Sequence, residues 1–130
     1  MKREILFRGK RADNGEWVYG YLIGNNVIVG EVVDFDEDYF NTEFWYKVDP
    51  ETAGQFTGLT DKNGIKVFEG DIVKFYDDSE DELVNGTVIF NADVCSFCVS
   101  MKGNEDVMLM AHWQYEVIGN IYDNPELIKP

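Results

Sequence analysis

The sequence predicts an all-β protein, on three observations. Asn-Gly pairs at Asn14-Gly15, Asn63-Gly64 and Asn85-Gly86 punctuate the chain, and Asn-Gly favours tight hairpin turns because both residues tolerate positive φ. Short runs rich in Val, Ile, Phe, Tyr and Trp recur every ~8–12 residues, the spacing of barrels and sandwiches. Helical signals are few. The finer expectation is a small SH3-like barrel over residues 56–123, packed with N-terminal antiparallel hairpins over 1–55 and followed by a short helical turn over 124–130. All of it forms one domain, as 130 residues normally do.

The elements follow in order. "ILF" leads into Asn14-Gly15, assigned a type I′ turn, and "EWVYGYLI" leaves it. "NVIVGEVV" and "TEFWYKV" are the next strands; the latter stops at Asp49-Pro50, since proline removes a ladder donor. "GQFTGL" is a short strand, Asp61-Lys62-Asn63-Gly64 a second tight turn, and "IKVFEG" follows. A Gly70-Asp71 turn enters "DIVKFY", and Asn85-Gly86 is expected to turn the chain into "TVIFN". "VCSFCVSM" and "EVIGNIY" complete the strands, with Gly119 allowing a bulge or sharp bend. "EDVMLMAHWQYE" suits either a helical turn or a buried strand, and periodicity does not decide. At the end, Asn124 can cap, Pro125 suits a first helical position and Glu126 favours the positive end of the dipole.

The resemblance of "RADNGEWVYGYL" to "TDKNGIKVFEG" is hairpin chemistry used twice. Two copies do not make a solenoid. Nor do they make a phosphate loop: Gly58 to Gly64 is one residue too long for the P-loop spacing, Ile65 stands where Lys is required, and a strand follows instead of a helix.

Charge narrows the partners. Eleven Lys and Arg face 25 Asp and Glu, a net −14. Residues 1–11 hold five cations against Glu4 alone, a local +4, leaving six cations and 24 acids, or −18, in the remainder. Such a body repels a phosphate backbone, so nucleic acid is an unfavoured partner. "MKREILFRGK" lacks the apolar stretch of a signal peptide, and no run approaches the ~18 apolar residues of a membrane helix. Two cysteines do not make a disulfide framework. The expectation is a reduced, cytoplasmic protein away from membranes.

Candidate chemistry is thin. Asp34, Asp36 and Asp38 occupy positions 1, 3 and 5 of an EF-hand-like loop, but Tyr39 replaces the glycine and Trp45 the bidentate Glu. "DDSEDELVNGTV" fails in the same way, and both segments read as solvated acidic loops. Cys95 and Cys98 form one CxxC, with His112 the sole histidine. On a continuous strand residues i and i+3 face opposite ways, and zinc needs four ligands. No metal, cofactor or catalytic residue is therefore assigned. One stripe stands out: Trp17, Tyr19 and Tyr21 alternate on one strand face, across a hairpin from Arg8, Lys10 and Arg11. These six are the candidate binding residues, with Val18 and Leu22 on the other side.

"FRGKRADNGEWVYGYL", "VDPETAGQFTGLTDKNGIKVFEGDIV" and "YEVIGNIYDNPELI" together resemble the YopX family of phage and prophage proteins, over nearly the whole chain. The resemblance implies a phage-encoded, cytoplasmic all-β protein and supplies no catalytic residue. The resulting expectation is a prophage accessory protein that acts by binding, not catalysis, either on a protein partner or by self-assembly into a homo-oligomer. The alternatives are a small barrel that binds nucleic acid, by analogy of fold, and an acidic nucleic-acid mimic that occupies a host protein.

Overall fold

The computed structural model describes residues 3–101, 103, 106–110 and 114–128. It is almost wholly antiparallel β and divides into two compact units, Met1–Phe56 and Thr57–Pro130.

The first unit contains β1 (Phe7–Lys10), β2 (Trp17–Ile23), β3 (Val27–Val29), β4 (Val32–Phe35), β5 (Phe40–Thr42) and β6 (Trp45–Lys47). The sheet order is β6-β3-β2-β1, and the first residues of β7 (Gly54–Thr60) pair with β1 through Phe7↔Gln55 and Arg8↔Gly54. An isolated Arg11↔Val48 bridge, with Ala12 N–H to Lys47 O at 2.9 Å and Asp49 N–H to Lys10 O at 2.8 Å, ties the end of β6 back to the end of β1. Ile28 and Val48 are fully buried on the inner side, and Gly9 leaves room for Val48. As expected, the sixth strand stops before Pro50. A 3-10 turn (Pro50–Thr52) follows, capped by Asp49, whose Oδ1 accepts from Glu51 N at 3.0 Å.

The β1–β2 reversal is not the predicted type I′ turn. Arg11 N donates to Glu16 O and Gly15 N to Arg11 O, so the loop spans four residues. Only Gly15 takes positive φ (+74°), and the Asn14 side chain accepts from Glu16 N at 3.0 Å. The second reversal closes Asp61 N onto Ile65 O at 2.7 Å, with Gly64 at φ +82°. Both loops thus place Gly alone in the left-handed region, the arrangement of three- and four-residue hairpins.

β3 to β6 form one long hairpin. The register Val27↔Lys47, Ile28↔Tyr46, Val29↔Trp45 continues through Gly30 N to Phe44 O and Glu43 N to Glu31 O into Val32↔Thr42. A bulge at Val33 then shifts it to Asp34↔Asn41 and Phe35↔Phe40, and Asp36 N–H donates to Tyr39 O at the tip. The sequence expectation of a solvated acidic loop here is corrected: β-propensity at Val32, Val33, Phe35 and Phe40 extends the ladder through the carboxylates.

The second unit contains the remainder of β7 with β8 (Lys66–Phe68), then β9 (Asp71–Asp77), β10 (Glu82–Asn91), β11 (Ser96–Ser100), β12 (Val107–Met108) and β13 (Glu116–Asn120). The last five form a sheet in the order β12-β11-β10-β9-β13. Val67, Val73, Phe75, Val88, Val99 and Tyr115 make its core, with Phe75 and Tyr115 edge to face at 5.4 Å. The expected closed barrel is not formed: β12 and β13 are the two ends of this sheet.

Two further expectations change. Asn85-Gly86 is no turn; it lies inside β10, paired as Asn85↔Lys74 and Gly86↔Val73. A Cβ at Gly86 would overlap Val99 Cγ1, so glycine there serves close packing. The actual reversal follows Asp77, whose Oδ1 accepts from Ser79 N and Oγ. In the undecided stretch, Val107–Met108 is strand and Leu109 N donates to Phe97 O, while residues 105 and 111–113 lie outside the described residues. The C-terminal turn is present as a 3-10 turn (Pro125–Ile128). Asn124 Oδ1 accepts from Asn120 N at 3.2 Å, so its side chain fastens β13.

Candidate binding face

Strand alternation sorts the candidate residues onto two faces. Arg8 pairs with Tyr19 and Lys10 with Trp17, so these four share the outer face of the first unit's sheet. The Arg8 guanidinium lies 4.7 Å from the Trp17 ring centroid and the Lys10 ammonium 5.5 Å, within cation–π range. Arg8 is only 5% exposed, whereas Tyr19 and Tyr21 are 48% and 43% exposed. The inner face of β2 presents Val18, Gly20 and Leu22. The core therefore uses the aliphatic side and leaves the tyrosines outward.

Tyr21 OH donates to Glu31 Oε1 at 3.3 Å, and the Glu31 charge raises the phenol pKa. Arg11 does not join the stripe. One residue past Lys10 it falls on the opposite side, 4.0 Å above the Tyr46 ring. It binds Asp13 through Nε at 2.9 Å and Nη2 at 2.7 Å, which holds the Asp13 carboxyl below the usual carboxylate range.

The structure adds residues that the sequence reading passed over. Trp45 is 68% exposed, and it joins the outer face through Trp45↔Val29↔Tyr21 pairing. Lys47, two residues on, shares that face. A cleft of about 500 Å³ opens beside them, lined by Arg11, Ala12, Asp13, Trp45, Tyr46 and Lys47. The signal was available in the alternation of "WYK", but that segment was read only as a strand, with no face assigned.

Two of the turn carboxylates are engaged by backbone N–H groups. Asp61, 6% exposed, accepts from Asn63 N and Ile65 N on Oδ1 and from Val117 N on Oδ2. Asp71, 2% exposed, accepts from Phe68 N at 2.7 Å across the Gly70 turn, where φ is +89°. Gly119 sits at a register shift in β13, the expected bulge. Cys95 is exposed in a turn and Cys98 is buried, its thiol pKa raised by burial and then by Asp106. His112 lies outside the described residues. Among the described residues no three His, Cys, Asp or Glu side chains converge as a metal site.

A family model described as YopX protein matches residues 6–129. The chain belongs to the YopX family. The crystal structure of protein EF1440 from Enterococcus faecalis is similar to this YopX-family chain, with a TM-score of 0.63 at 20% identity over 98% of this chain and 100% of that one. That likeness speaks to the fold. No curated protein matched the chain. No helix among the described residues is long and apolar enough to cross a membrane.

Proposed function

We propose that this YopX-family chain is a phage- or prophage-derived accessory protein of the bacterial cytoplasm that acts by binding a protein, without catalysis of its own. The observation that carries this reading is the outer face of β2 and β6. Tyr19, Tyr21, Ile23 and Trp45 are all 43% exposed or more on a sheet whose core lies on its other side. Exposed apolar patches edged by polar groups mark interaction sites, and Trp, Tyr and Arg are the residues most enriched at protein interfaces. The Arg8–Trp17 stack stiffens the platform, because a buried guanidinium over the ring fixes both side chains. The phage origin rests on the family resemblance. The net −14 weighs against a nucleic-acid partner.

The test compares tagged wild-type protein with Trp45→Ala and Tyr19→Ala in cross-linked host lysate. Retention of a discrete partner protein should fall about tenfold or more in Trp45→Ala, as for a central aromatic anchor. Unchanged retention would overturn the assignment. So would salt-sensitive anisotropy of single-stranded DNA or RNA that Trp45→Ala abolishes.

A further inference from the structure

We infer that the cleft beside Trp45 receives the acidic tip of the β4–β5 hairpin of a second copy, so that two copies exchange hairpins. This rests on the reading that the first unit binds protein through its exposed aromatic side, and it names the partner.

Among the described residues the hairpin is the most solvent-exposed apolar segment. Val32, Val33, Phe35, Tyr39 and Phe40 are 55–77% exposed, and β4 is exposed at every residue. A two-stranded ribbon with apolar side chains on both faces has no core of its own and is marginal in water. Its tip adds Asp36, Glu37 and Asp38 to Asp34 one turn back, four carboxylates beside three rings.

The cleft is its chemical complement. Arg11 and Lys47 supply cations against Asp13, a local +1, and Trp45 and Tyr46 supply rings. The carboxylates of the tip suit the Lys47 ammonium and the charge of Arg11, whose Nε–Nη2 edge Asp13 already holds, and Phe35 and Tyr39 suit the indole and phenol.

The occupant has to be another copy, because the hairpin runs away from its own cleft. The register is continuous from Val29↔Trp45 to Phe35↔Phe40, so the tip stands roughly 20 Å beyond Trp45 at ~3.3 Å per residue. A second copy brings both surfaces, and a two-fold axis pairs each hairpin with the other cleft. That closes the assembly as a dimer.

Charge-swap complementation tests it by sedimentation velocity on the full chain. Asp36→Lys/Glu37→Lys/Asp38→Lys reverses the tip from −4 to +2, and Arg11→Glu/Lys47→Glu reverses the cleft from +1 to −3. Wild type should dimerise, and more weakly in high salt. Each variant alone should raise the dimer Kd by about tenfold or more. Their equimolar mixture should recover the wild-type Kd, since both tip–cleft contacts then pair opposite charges. Circular dichroism confirms that each variant is folded, and Lys47→Glu alone replaces the cleft variant should that one not fold. A monomeric wild type at every concentration, variants that dimerise like wild type, or a folded mixture without recovery would each overturn the exchange. A monomeric wild type whose capture of another protein still depends on Trp45 would overturn the exchange while leaving the binding-face reading standing.

Discussion

Asp61 Oδ2 accepts the backbone N–H of Val117 at 2.9 Å, 56 residues away in sequence, while its Oδ1 accepts from Asn63 and Ile65. Lys62 N donates to Tyr115 O at 2.9 Å beside it. The Asp-Lys-Asn-Gly turn thereby clasps β13 just before its bulge. The Lys62–Glu116 ion pair at 3.9 Å is solvent-exposed and adds little. The carboxylate is what carries the clasp.

Asp61→Asn should destabilise the fold by about 2–3 kcal/mol. One amide NH2 would replace an acceptor and face a backbone N–H, leaving a buried donor unsatisfied. Urea denaturation of both proteins measures the difference. A change within ~0.5 kcal/mol would mean the clasp is dispensable.

The same residue sets a pH dependence. Burial pushes the Asp61 carboxyl up, but the N–H groups of Val117, Ile65 and Asn63 outweigh it, and the folded-state pKa is lowered. Its contribution to stability is therefore complete above the unfolded value near ~3.9 and is lost as pH falls from there through the folded value. Denaturation series from about pH 6 down to pH 3 should show wild type losing more stability than Asp61→Asn below about pH 4. Parallel curves would contradict this.

Gly86→Ala should cost about 1–3 kcal/mol, because the new methyl enters the space of Val99 inside β10. Gly15→Ala meets no neighbouring atom, and its cost of roughly 1 kcal/mol comes from positive φ alone. Gly15→Asn, which tolerates the left-handed region, should recover part of that loss. Gly86→Asn should recover none. Thermal denaturation of the four variants separates packing from turn geometry.

The cysteines should behave as two classes. Exposed Cys95 should react with a thiol reagent at once, and Cys98, buried with a raised pKa, should react only as the chain opens. Two equivalents labelled at one rate in the native protein would contradict the placement of β11.

The fold class was legible because β-branched and aromatic runs and the Gly64 turn are local signals. Gly119 announced its bulge by lacking a side chain where β13 meets Asn124. Asn85-Gly86 misled because identical letters serve a turn or a close approach, and only the position of Val99 distinguishes them. The β4–β5 hairpin was hidden by its carboxylates, which suggested solvation while the residues between them paired. Arg11 was grouped with Arg8 and Lys10 by charge, yet alternation sends it to the far side over Tyr46. Trp45 was missed because exposure of a strand tryptophan depends on which face the core takes, and both faces of this sheet carry apolar residues.

Binding through the outer face is tested most directly by a photo-cross-linking residue placed at position 45 of the full chain in the host cell, with position 80 in the β9–β10 turn as the control. The expected result is a discrete protein adduct at 45, a second copy of the chain among the admissible species, and none at 80. No adduct at 45, or the same adducts at both positions, would contradict the account.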